Sequence, residues 1–152
     1  MSERIRVVLA KLGLDGHDVG INLIGKQLRD NGFEVIYLGK RVSTETIVNT
    51  AMQEDADVVG LSCLSGGLGY FAAKTVTQLR AQHLDIPVLA GGIDEPAEIE
   101  RMLEVGVSRH FGPGTSLDDI VEAFRSAVTD KRSSSAVDHD PATEKTLRAD
   151  HS

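Results

Sequence analysis

Short, largely apolar runs recur along the chain, IRVVLA at 5–10, EVIYL at 34–38, DVVGLSCL at 57–64 and IPVLAGG at 86–92, followed by a short fifth run, VSRHF at 107–111, that is apolar only at its ends. Strands that are apolar at nearly every position, rather than at every second one, are buried on both faces, as in a parallel sheet covered by helices on either side. Segments with helical spacing lie between them. Ile21, Ile24 and Leu28 precede a stop at Gly32, and Leu68, Ala72, Val76 and Leu79 form a second stripe. Asp94 before Glu95-Pro96, and Ser116 before Leu117-Asp118-Asp119, are expected to cap the helices that follow the fourth and fifth strands. Five βα units result. Right-handed crossovers leave few ways to arrange them. The expectation is an α/β, flavodoxin-like (Rossmann-like) fold: a five-stranded parallel sheet of order 2-1-3-4-5 with helices on both faces. Ligands of such sheets sit beyond the carboxyl ends of the strands, near the switch point between the first and third.

A chain of 152 residues can bury one core and is short for two domains. The cobweb of strands and helices is expected to fill residues 1–129. From about Thr129 the chain becomes polar and rich in serine and charge, so 130–152 is expected to be a flexible polar tail. The alternative is a short helix around Ala142 to Arg148 that orders on a partner. The net charge of −7 argues against nucleic acid or an anionic membrane as partner, since no basic stripe is present to neutralise phosphates. A single cysteine, Cys63, excludes an internal disulfide framework and a cysteine-rich zinc site. With no signal peptide or membrane-length apolar run, a cytoplasmic location is expected.

Three groups of residues fall at the strand ends that should face one crevice. The first is the loop after the first strand, Asp15-Gly16-His17-Asp18-Val19-Gly20. Histidine is a common transition-metal ligand, and a carboxylate on its other ring nitrogen fixes the tautomer and strengthens the donor. Asp15, two residues away in a turn loosened by Gly13 and Gly16, is placed to do that. Gly20 would let a bulky planar ligand approach the backbone. Alternatively, His17 is a solvated loop residue and Asp18 caps the following helix. A phosphate site is disfavoured, because G-x-G-x-x-G is absent and the loop is acidic.

The second group is Leu61-Ser62-Cys63-Leu64-Ser65-Gly66-Gly67. Alternation sends Ser62 and Leu64 to one side of the strand and Cys63 to the other. A hydroxyl beside an apolar side chain suits a flat aromatic heterocycle with a ring nitrogen. The alternative is an ordinary strand end in which Ser62 satisfies a backbone group. Cys63 is expected to pack in the core. The third group is Ala90-Gly91-Gly92, followed by Phe111-Gly112-Pro113-Gly114-Thr115; paired glycines at neighbouring strand ends clear a slot, or serve simply as turns.

Together these residues resemble the cobalamin-binding domain of adenosylcobalamin-dependent mutases, whose signature is D-x-H-x-x-G, then S-x-L, then G-G. Here these are Asp15, His17 and Gly20; Ser62 and Leu64; Gly91 and Gly92. The resemblance covers residues 4 to 129. KLGLDGHDVG, QEDADVVGLSCLSG and FGPGT look most like the acyl-CoA mutase branch, which includes methylmalonyl-CoA, isobutyryl-CoA and 2-hydroxyisobutyryl-CoA mutases. The resemblance implies that adenosylcobalamin binds with its dimethylbenzimidazole base detached from cobalt and His17 as the metal ligand. Asp15, with Lys11 behind it, would orient and polarise His17. The displaced nucleotide tail would lie along Ser62, Leu64, Gly91 and Gly92, with Thr115 touching it. Gly16, Asp18, Gly66 and Gly114 complete the implied cofactor-binding set.

In such enzymes homolysis of the cobalt–carbon bond yields a 5′-deoxyadenosyl radical, and the protein supplies position and electrostatics. The acyl-CoA site belongs to a TIM barrel of about 250 residues, for which there is no room here. The implied role is the small subunit of a heteromeric isomerase whose partner is a large acyl-CoA-binding subunit, with no substrate-reacting residue on this chain. LGYFAAKTVTQLRAQHLDIPV, after Gly67, departs from the small-subunit pattern and is expected to border the tail slot. Competing readings are a corrinoid protein of a methyltransferase system, which usually carries a helical domain ahead of the cobalamin fold, a cobalamin-dependent regulatory module, and a flavin-binding protein sharing only the fold.

Overall fold

A computed structural model of the protein describes residues 4–12, 19–63 and 66–137. Strand and helix alternate as β1 (Arg6–Lys11), α1 (Val19–Asp30), β2 (Glu34–Tyr37), α2 (Thr44–Gln53), β3 (Val58–Cys63), α3 (Leu68–Ala81), β4 (Val88–Gly92), α4 (Pro96–Val105), β5 (Arg109–Phe111) and α5 (Leu117–Val137). All pairings are parallel, and the sheet order is β2-β1-β3-β4-β5, as the apolar runs predict. The direction of winding reverses after β2, so α1 and α5 cover one face and α2, α3 and α4 the other.

Two separate cores follow from strand alternation. Val8, Ala10, Val59, Leu61, Cys63, Val88 and Ala90 point towards α2–α4 and pack on Ile47, Leu68, Leu79 and Met102. Val7, Leu9, Val58, Leu89 and Phe111 point the other way, against Ile21, Leu28, Ile120, Val121 and Phe124.

The caps divide. Ser116 Oγ accepts from Asp119 N at 3.1 Å, as expected of a helix start. Asp94, by contrast, does not cap α4. Glu95 is that helix's N-cap residue, with no side-chain cap bond, and Pro96 opens the first turn. The Asp94 carboxylate instead accepts from Glu95 N and, across the layer, from Gly69 N at 2.8 Å. A free amide in the first turn of α3, whose N-cap is a glycine without a side chain, draws the carboxylate away from its own helix.

The expected polar tail begins too early. Helix α5 continues through Thr129 to Val137, eight residues into the 130–152 segment. Its extra turns are tied to the amino ends of the strands: Lys131 Nζ donates to Asp85 O at 2.6 Å, and Arg132 lies 3.7 Å from Asp57. Residues 138–152, including the alternative helix at Ala142–Arg148, lie outside the described residues. No helix among the described residues is long and apolar enough to cross a membrane.

Candidate functional site

The ladder aligns the site. Lys11 is in register with Ser62, Ser62 with Gly91, and Gly91 with Phe111, so one row crosses β1, β3, β4 and β5 at their carboxyl ends. By alternation the whole row faces α1 and α5. The row beneath it, Leu9, Gly60, Leu89 and Arg109, lies on the same face one pleat lower.

Above these rows a cavity of about 420 Å³ opens between the two helices. Its floor is Leu9, Gly60, Leu89 and Phe124. Ile21, Leu23 and Ile24 of α1 form one wall; Leu117 and Ile120 of α5, with the turn Phe111–Thr115, form the other. Ser62, Gly91 and Gly92 line the strand side, and Lys11 and Gly20 complete the lining. The walls are predominantly apolar and the polar groups few, the chemistry of a pocket for a planar organic group.

The glycines keep this space open. A Cβ at Gly91 would meet nothing closer than 3.9 Å, and at Gly20, Gly112 and Gly114 it would enter open space, so a larger side chain at any of them would take up room. Gly60 differs: a Cβ there would press on Leu9 and Phe124 at 2.6 and 2.7 Å, so its bareness lets those two side chains meet under the cavity. Gly114, at φ +89°, also needs glycine for the turn itself. Thr115 Oγ1 donates to Gly112 O at 2.8 Å, closing this turn while its lone pairs stay available.

Ser62 and Lys11 are the polar groups of the row. The Ser62 hydroxyl has no hydrogen-bond partner among the described residues, while its backbone oxygen accepts from Leu12 N at 2.8 Å. Its side chain lines the cavity, and no backbone group among the described residues takes up its hydroxyl. Lys11 is only 2% exposed, and its interactions leave it with a partner. A buried ammonium requires one.

The structure therefore brings together Lys11, Gly20, Ser62, Gly91, Gly92, Gly114 and Thr115 around one space. Gly66 does not join them: it follows β3 at φ +93° and its carbonyl accepts from Cys63 Sγ at 3.1 Å. Cys63 is fully buried in the opposite core, as expected. Asp15, Gly16, His17, Asp18 and Leu64 lie outside the described residues. The segment after Gly67 does not border the slot. It forms α3, whose buried side chains pack on the α2–α4 face, and none of its residues lines the cavity. Gly60, Leu9, Ile24 and Phe124 were not expected at the site; a lone glycine inside an apolar strand was the available signal for the first.

A slot floored by Leu9, Gly60, Leu89 and Phe124, with the Ser62 side chain lining it and a glycine-rich mouth, has the chemistry to accept a planar heterocycle such as the detached base of a corrinoid. The chain is 40% identical over 125 residues to the 2-hydroxyisobutanoyl-CoA mutase small subunit of Aquincola tertiaricarbonis, covering 82% of this chain and 92% of that one. It is 37% identical over 139 residues to the pivalyl-CoA mutase small subunit of Xanthobacter autotrophicus, covering 91% and 93%. A crystal structure of a cobalamin-binding protein from Desulfitobacterium hafniense superposes with a TM-score of 0.68 at 30% identity, covering 81% of this chain and 58% of that chain. Residues 5–122 match the B12 binding domain, and with the relatives and the slot in agreement the chain belongs to the B12-binding domain family.

Proposed function

We propose that this chain is the cobalamin-carrying small subunit of an adenosylcobalamin-dependent acyl-CoA mutase, a cytoplasmic isomerase completed by a separate large subunit. The observation that carries the proposal is the cavity over the row Lys11, Ser62, Gly91 and Phe111. Its support from outside the molecule is the likeness, over nearly their full length, to small subunits named for 2-hydroxyisobutanoyl-CoA and pivalyl-CoA mutases. A short branched acyl-CoA is the corresponding substrate class, bound by the large subunit on a TIM barrel.

When bound, the cofactor supplies reversible cobalt–carbon homolysis; the rest is positioning by this chain. The apolar walls from α1 and α5 exclude water from the detached base and hold its plane. The Ser62 hydroxyl, without a described partner, would donate to a ring nitrogen of the detached base and orient it. Gly91 and Gly92 allow the tail to lie against the ends of β3 and β4. His17 would ligate cobalt, with Asp15 orienting its imidazole and Lys11, at the end of β1, supporting the pair.

Titrating the pure chain with adenosylcobalamin is expected to shift the absorption spectrum to the base-off, histidine-ligated form, and His17→Ala to remove the shift. Identical spectra for wild type and variant would refute the ligand. Imidazole must be neutral to coordinate, so ligation should weaken in acid. Acyl-CoA rearrangement is expected only after a large subunit is added; turnover by this chain alone would refute the division of labour.

A further inference from the structure

The glycine end of β4 is held from behind by a residue outside every motif of the sequence. The β4–β5 ladder ends at the pair Gly91 and Phe111, so the Gly92 carbonyl lies beyond its reach. Gly92 sits at φ +135°, and any Cβ there would collide with the Cys63 carbonyl oxygen. His110 Nε2 lies 2.9 Å from Gly92 O. A carbonyl only accepts, so Nε2 carries the proton and donates. His110 is in register with Ala90, which points into the α2–α4 core, whereas its neighbour Phe111 lines the cavity. The three-residue strand β5 thus serves the slot twice, as a wall on one face and a support on the other.

Gly92 has the freedom of a glycine, and its carbonyl lies past the last pair of the β4–β5 ladder. Without a donor, that peptide would turn to seek another hydrogen bond and carry the strand side of the slot with it. We infer that His110 is a positioning residue for the nucleotide-tail slot: its Nε2–H pins the Gly92 carbonyl and so fixes the Gly91-Gly92 edge against which the tail lies. The inference rests on the cobalamin reading and adds to it a residue that touches neither cobalt nor tail.

The test compares cobalamin with cobinamide, the same corrin without the nucleotide tail, in spectroscopic binding titrations of the full chain. His110→Leu removes the donor. His110→Asn places an amide near the Nδ1 position, too short to reach, and His110→Gln places one at the Nε2 position. The Leu and Asn variants are expected to bind cobalamin roughly tenfold more weakly, the Gln variant to recover wild-type affinity, and cobinamide binding to stay unchanged throughout. Thermal unfolding checks that each variant is folded, and the Gln and Asn pair keeps the comparison decisive if the Leu variant is not. Unchanged cobalamin affinity in the Asn variant, or equal weakening for both corrinoids, overturns the inference. Failure of the wild-type chain to bind either corrinoid overturns the cobalamin reading itself, and the inference with it.

Discussion

The two faces of one sheet are built to different ends. Towards α2–α4, inward positions are filled to the carboxyl ends of the strands, with Leu61, Cys63 and Ala90 packed under Leu68 and Met102. Towards α1 and α5 the lower rows are filled as well, by Val7, Val58, Leu9 and Leu89. One pleat higher the residues become Lys11, Ser62, Gly91 and Phe111, and packing gives way to a cavity. Each methylene left out of such a place forgoes about 0.8 kcal/mol of burial. The strands and ladder are common to both faces, so the space reflects the choice of side chains, and it marks where a guest belongs.

Filling the slot should break the comparison most sharply. Gly91→Leu adds a side chain whose Cβ meets only ordinary contacts, from 3.9 Å, beside the cavity, and is expected to weaken cobalamin binding about a hundredfold while the melting temperature holds or rises. Loss of folding in step with binding would mean that the row is ordinary core. On the opposite face, Leu79→Ala empties a site 1% exposed and should cost ~2–5 kcal/mol of stability in denaturant unfolding, with cobalamin affinity of the folded fraction unchanged. Ser62→Ala is expected to weaken cobalamin severalfold with no loss of stability, because the hydroxyl has no described protein partner. A stability loss without an affinity loss would assign Ser62 to the scaffold.

The smallest effect concerns the packed face alone. Hydrogen bonding from Gln78, then from its own backbone, with Lys74 nearby, holds the exposed Glu45 carboxylate below its usual range and links α2 to α3. A lowered carboxylate stabilises above the pKa of the unfolded chain and loses that contribution as pH falls through the folded one. Glu45→Ala should therefore lower the melting temperature slightly at neutral pH and not at all in strong acid, leaving cobalamin binding untouched.

Strand identity, order and burial were legible because a doubly covered parallel strand must be apolar throughout, and a one-residue slip would misplace every side chain. Ser62, Gly91 and Thr115 were legible for the opposite reason: they interrupt that pattern where the strands end. What could not be read depended on neighbours across space. Asp94 has the sequence of a cap for α4, but the Gly69 amide that takes its carboxylate comes from another helix. DKRSSSAV looks too polar to stay folded, yet Lys131 finds Asp85, 46 positions away. His110 looks like one more polar residue on an edge strand until the Gly92 carbonyl appears beside it.

The row of Lys11, Ser62, Gly91 and Phe111 takes one residue from each of four strands far apart in the sequence. A molecule seated on it holds four separate stretches of backbone at once, and no excised fragment could offer the same grip. Occupancy is thereby coupled to the integrity of the entire sheet, by about 2.7 kcal/mol when free ligand is a hundred times its dissociation constant. The loaded chain should outlast the empty one under protease, so that cofactor supply sets how long the subunit survives as well as whether it works.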